Sequence, residues 1–259
     1  MSIAPLVDAA EARRILERTQ AEETLAKRNV ANVAYNYLST VSGAKDGLFG
    51  AIKTACSLAH FNGYESRISS NVENLASDAG SYLGFIEIYT KAYDAYDRVA
   101  NVASQILKWE FPEFFSIGEM CGKVSRAAAN VLNCAALLAK KGVAMWETSP
   151  LKLMASRFGM IQFGWGMVDD VEKISRPAAM DQTTGQAVPE TERDAKKKTH
   201  AWINLAFNTS IFTLQSFAAF GAALSPVTAL FCSSVATAST IGGKFYKELN
   251  GLDLKALDR

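Results

Sequence analysis

Between residues 68 and 107 the apolar positions recur at alternating spacings of four and three. They are Ile68, Val72, Leu75, Ala79, Tyr82, Ile86, Tyr89, Tyr93, Tyr96, Ala100, Ala103 and Leu107. Such spacing keeps one face of a helix apolar. Glu73, Asp78, Lys91, Asp94, Asp97 and Arg98 fall on other faces. An unbroken helix of this length would run roughly 60 Å. A sustained 3.5-residue repeat predicts left-handed packing against neighbouring helices. The expectation is a heptad-patterned helix packing within its own chain, with coiled-coil self-association as the alternative. Tyr82, Tyr89, Tyr93 and Tyr96 form the candidate packing or partner face.

The flanking segments also read as helices. Residues 6–41 predict one, with Asp8 as its cap and a stripe of Ala26, Val30, Val33, Tyr37 and Val41. Ser42-Gly43 and Gly47 then loosen the helix before a short apolar segment at 48–61, and Asn62-Gly63 predicts a turn. Pro112 interrupts the long pattern inside an aromatic cluster of Trp109, Phe111, Phe114 and Phe115, expected to be a helix junction. Residues 123–148 predict a helix, and 151–168 an interfacial or buried one. The polar stretch 175–190, with Pro177, Gly185 and Pro189, reads as the linker. Pro189 suits a first helical position, followed by acidic residues in the first turns. The expected division is 1–122, an N-terminal helical region; 123–174, an apolar helical pair; 175–190, a linker; and 191–259, a C-terminal apolar hairpin with a short polar tail. The fold class expected is all-α, an elongated helical bundle.

Residues 199–243 hold no Asp, Glu, Lys or Arg. Twenty apolar residues span the hydrocarbon of a bilayer, and Pro226 lies near the middle of this stretch, where a membrane hairpin would turn. Lys196, Lys197 and Lys198 precede it and Lys244 and Lys247 follow, so both ends would stay on one side. Against insertion stand Asn204, Asn208, Thr209 and Gln215. The balance favours membrane association over a buried core.

Composition narrows the chemistry. The 27 Lys and Arg nearly balance the 26 Asp and Glu, which argues against a nucleic-acid binder relying on bulk charge. The cysteines Cys56, Cys121, Cys134 and Cys232 form no CxxC pair. The N-terminus lacks the pattern of a standard cleaved signal peptide. His60 and His200 have no ligand-spaced neighbours, so no metal site is expected. Cys56 and His60 share a helical face but lack an orienting group for catalysis. Asp169, Asp170 and Glu172 read as a solvated turn rather than a cation site, and Gly164-x-Gly166 is not a dinucleotide fingerprint. No cofactor is expected, and the chain reads as no enzyme.

The layout of residues 123–245, a bilobed apolar segment around a turn followed by a basic tail, resembles the proteins that chlamydial-type bacteria insert into the membrane of their host vacuole. The resemblance implies a hairpin turn at Pro226, ends exposed to the host cytosol, and 1–122 as the partner-facing part. The expected function is a non-enzymatic membrane-associated helical protein that docks protein partners or shapes a membrane, with a host-pathogen interface as the setting the resemblance implies. Its partners would be proteins and a lipid bilayer, without nucleic acid and with homo-oligomer formation possible. The alternative is a soluble cytoplasmic all-α protein enclosing a small apolar ligand between 151–168 and 201–240.

Overall fold

The computed structural model describes residues 9–64, 66–108, 110, 112–176 and 190–258. The expected features at Asp8, Trp109, Phe111, Pro177, Gly185 and Pro189, and most of the 175–190 linker, lie outside these. The regular elements among the described residues are all helices. The order is α1 (Ala9–Ala26), α2 (Val30–Leu38), a π-helical segment (Gly43–Phe49), α3 (Gly50–Phe61), α4 (Arg67–Ile86), α5 (Ile88–Leu107), α6 (Phe114–Lys140), α7 (Thr148–Ser175), α8 (Glu192–Ala219), α9 (Pro226–Leu249) and a closing 3-10 turn (Lys255–Asp258).

Helix ends follow local chemistry. The helix expected over 6–41 is two helices, because Asn29 leaves the helical conformation and its side chain caps α2 by accepting from the Asn32 amide. Ser66 and Ser69 form a reciprocal capping box that starts α4 after the 62–63 turn. Thr191 and Asp194 do the same for α8, which begins beyond Pro189. Ser225 caps α9, with Pro226 in its first turn. Gly142 and Gly221, at φ of 73° and 65°, sit in the left-handed region just past α6 and α8, where a side chain would be strained.

Helices α5 to α9 pack each on its sequence neighbour, and α2, α3 and the π-helical segment close against α9. Small residues set the distances. A Cβ at Gly118 of α6 would lie 2.0 Å from the Trp165 ring of α7, and one at Gly166 would lie 2.7 Å from the Asn208 side chain of α8. Trp165 is in turn flanked by Phe114 and Phe115, at centroid distances of 5.5 and 5.8 Å. The fully buried apolar side chains are mostly alanines, with Val33, Tyr37, Val102 and Leu137 among the few larger ones.

Two expectations about this architecture are overturned. The 68–107 repeat is not one helix and forms no coiled coil. It breaks at Glu87 into α4 and α5, and most of its large seam residues face outward, including Leu75 at 70% and Leu107 at 81% exposure. The break falls at a buried residue: the Glu87 carboxylate takes hydrogen bonds from Ser42 and Lys45 at 2.5 and 3.1 Å.

The membrane hairpin is also overturned. No helix among the described residues is long and apolar enough to cross a membrane. The uncharged stretch is α8 and α9, packed on each other and, through α8, on α7. Its polar side chains are used within the protein: Asn208 donates to Asp170, Thr237 pairs with Thr54, and Gln215 lies against Gly159. Polar groups at these positions lower the hydropathy of α8 below what a bilayer requires. With the hairpin go the bilayer as partner, the membrane localisation and the resemblance to vacuole-membrane proteins, since each rested on that layout.

Candidate functional site

A pocket of about 400 Å³ opens between the π-helical segment, α3, α4 and α6, with Lys152 of α7 among its lining residues. Its floor on α4 is made of small residues four apart, Ala76, Gly80 and Gly84. The Lys45 side chain crosses this stripe, and a Cβ on Gly80 or Gly84 would meet it in ordinary contact at 3.9 or 3.8 Å. π-Helical turns are rare and gather at functional sites. This one depends on its glycines: a Cβ at Gly43 would lie 1.8 Å from the Tyr37 carbonyl oxygen, and one at Gly47 would strike the Tyr37 ring. Packing against this segment buries the Tyr37 hydroxyl, whose pKa burial pushes up to about 12.

The pocket is cationic. Four lysines, Lys45, Lys53, Lys140 and Lys152, line it against two aspartates, Asp46 and Asp78. Some of this charge is already matched. Lys45 lies 3.1 Å from Glu87 and 3.8 Å from Asp46. Lys140 and Lys141 hold Asp78 at 3.0 and 2.6 Å, and their hydrogen bonds keep its carboxyl below the usual range. Burial pushes Asp46 upward. Burial acts on Glu87 in the same sense, but the Ser42 hydroxyl and the Lys45 ammonium more than offset it, and the carboxyl lies below its ordinary value. Lys53 and Lys152 have no carboxylate partner among the described residues, and the side-chain amides of Asn130 and Asn133 have no hydrogen-bond partner there. Lys53, Lys152 and Asn133 are exposed and Asn130 is half-buried, so the pocket offers ammonium and amide donors open to solvent. Cys134 also lines the pocket, but burial raises its thiol pKa and makes it a poor nucleophile.

The residues singled out from sequence lie elsewhere. Tyr82, Tyr89, Tyr93 and Tyr96 are exposed on α4 and α5, at 52%, 79%, 60% and 71%. Pro226 occupies the first turn of α9. Asp169 and Glu172 pair with Lys173 and Arg176 on the same helix, while Asp170 is buried against Asn208. No group of three or more His, Cys, Asp or Glu among the described residues is placed to hold a metal.

His60 acquires partners that sequence spacing does not reveal. Its Nε2 lies 2.8 Å from Ser69 Oγ and its Nδ1 3.4 Å from a Glu73 oxygen, while Ser57 donates to the other Glu73 oxygen. Ser69 Oγ also accepts from the Ser66 backbone amide as part of the α4 cap.

The pocket residues were invisible in the sequence because they come from five separate elements. The only local traces are the spacing of Ala76, Gly80 and Gly84, and Asn130 with Asn133 three apart in an otherwise apolar run. The cavity expected between 151–168 and 201–240 is not this one, and these walls mix charged and amide side chains with apolar ones such as Phe49, Ala136 and Leu137. Comparison of the chain with protein-family models, curated proteins and solved structures finds no match.

Proposed function

We propose that this chain is a non-catalytic all-α binding protein whose pocket takes a small anion, a carboxylate or a phosphate ester. The observation that carries this reading is the pair of lysines, Lys53 and Lys152, left without carboxylate partners beside the unpartnered amides of Asn130 and Asn133. An anion there would gain two charge-assisted contacts, each stronger than a neutral hydrogen bond. The volume suits a small metabolite. Lys45 and Lys140 are tied to acidic side chains and hold the walls, so the ligand is bound by groups that need not break an ion pair first.

Isothermal titration of the full chain with inorganic phosphate, then with a panel of phosphate monoesters and dicarboxylates, tests the reading. Saturable binding that weakens with added salt and is lost in Lys53→Ala/Lys152→Ala supports it. Affinity for none of the panel, or affinity untouched by the double substitution, overturns it.

A further inference from the structure

Helix α1 rests on the body at one end only. The helical element it packs against is the closing 3-10 turn. The first half of the helix is turned to solvent, and even Ile15 and Leu16 are 57% and 58% exposed. Further along, Ala21 is buried and Leu25 and Arg28 are half-buried, at spacings of four and three. Contact with the body is therefore confined to the last turns of α1 and the junction that follows.

That contact is built as a clasp. Arg28 lies in the junction between α1 and α2, and its guanidinium grips Asp253 with two bonds, Nη1 to Oδ1 at 2.6 Å and Nη2 to Oδ2 at 2.7 Å. Nη1 also donates to the Glu248 carbonyl at the end of α9, at 2.6 Å. A bidentate pair of this kind fixes orientation as well as position. The two side chains are only 18% and 32% exposed, so water screens them in part. The other half of the clasp is held from behind. Arg193 of α8 donates to the carbonyls of Gly251 and Leu254 at 3.2 and 3.1 Å. Gly251, at φ of 63°, gives the Leu25 side chain its seat, since a Cβ there would lie 3.0 Å from it.

The next helix does not need α1. Asn29 takes an extended conformation and caps α2 with its own side chain, and α2, with Val33 and Tyr37 buried, packs on α9 and the π-helical segment. A hinge therefore lies at Arg28 and Asn29, between a helix with few buried apolar contacts and one that is anchored. Segments with few such contacts open before the rest of a fold. We propose that α1 is a hinged arm: opening of the Arg28–Asp253 clasp releases it as one unit from the closing turn while α2 to α9 stay folded. Release bares Ala21 and Leu25 and leaves the cap of α2 intact.

Native-state hydrogen exchange of the full chain, read by mass spectrometry, tests this. In the wild type the α1 amides should exchange about a hundredfold or more faster than those of α6 to α8. Asp253→Asn should raise the α1 rate roughly five- to tenfold, and that of residues 251–254 with it, because the guanidinium loses its charged partner. The rates of α6 to α8 should not change. Glu22→Gln, which removes only the exposed Arg18–Glu22 pair within α1, should alter the α1 rate by about twofold at most. Exchange of α1 as slow as that of α6 to α8, no response to Asp253→Asn, or an equal rise through the whole chain overturns the proposal. A response to Glu22→Gln as large as that to Asp253→Asn also overturns it, by assigning the exchange to fraying within α1.

Discussion

Asn208 of α8 donates a hydrogen bond of 2.7 Å to the carboxylate of Asp170 on α7, and Asp170 is only 2% exposed. The pair bridges two of the most closely packed helices in the protein, and its acid is poorly compensated. Burial raises the Asp170 pKa to about 6, only partly countered by the Asn208 bond and the nearby Lys173.

A raised folded-state value means that the folded protein holds a proton which the unfolded chain has released. Between the unfolded value of 3.8 and about 6, stability should therefore fall as pH rises, and above that range this contribution stays constant. The loss at neutral pH is up to about 3 kcal/mol. Asp170→Asn keeps the shape and removes the charge. Denaturant melts across this range should show the slope in the wild type and its disappearance in Asp170→Asn, with the variant the more stable at pH 7. An unchanged slope would assign the pH dependence to another group.

Gly118 places α6 directly on the Trp165 ring. Gly118→Ala puts a methyl group 2.0 Å from that ring, so Trp165 or the helix must move. Overpacking of this kind costs about 1–3 kcal/mol, beyond the small gain in helix propensity. The expected result is a lowered denaturation midpoint that partly recovers in Gly118→Ala/Trp165→Phe. An additive pair of effects would show that the two residues do not limit one another.

Glu87 ties the α4–α5 break to the pocket wall. Glu87→Gln removes the charge opposite Lys45 and should cost about 2 kcal/mol, because a half-buried ammonium loses its nearest carboxylate. The Glu87 carboxyl lies below its ordinary value, so its stabilisation is complete above the unfolded value and fades as pH falls through the folded one. The same substitution frees Lys45 and should raise the affinity for inorganic phosphate roughly two- to fivefold. Calorimetry on the folded variant separates the two effects. An unchanged or lower affinity would remove Lys45 from the reach of the ligand.

The Ser69, His60 and Glu73 cluster is expected to serve the helix cap. Ser66→Ala and Ser69→Ala should each lower stability by about 1 kcal/mol. The wild type should hydrolyse p-nitrophenyl acetate no faster than Ser69→Ala, and a fluorophosphonate probe should leave Ser69 unmodified. Modification at Ser69, lost in His60→Gln, would mark the cluster as catalytic.

The sequence alone determined the helical character of the described chain. Prolines at boundaries, Ala-rich intervals and apolar residues at helical spacing are local properties, and a helix closes its hydrogen bonds locally. The α4 start after the turn at Asn62-Gly63 was legible for the same reason. The length of an apolar repeat said less. Twelve seam positions predicted one packed helix, yet the helix divides at Glu87, a buried carboxylate held by Ser42 and Lys45 from 45 and 42 residues away, and the tyrosines face outward. Residues 199–243 misled similarly, since lack of charge is not apolarity: Asn208 and Thr237 meet partners on α7 and α3 that no window of sequence contains. The pocket belongs wholly to the tertiary level. Lys53, Asn130 and Lys152 are far apart in the chain, and only the packing of α3, α4, α6 and α7 sets which lysines are neutralised and which are left to bind. Electrostatic pairing acts through space, so the charge available for binding could be read only once the helices were in place.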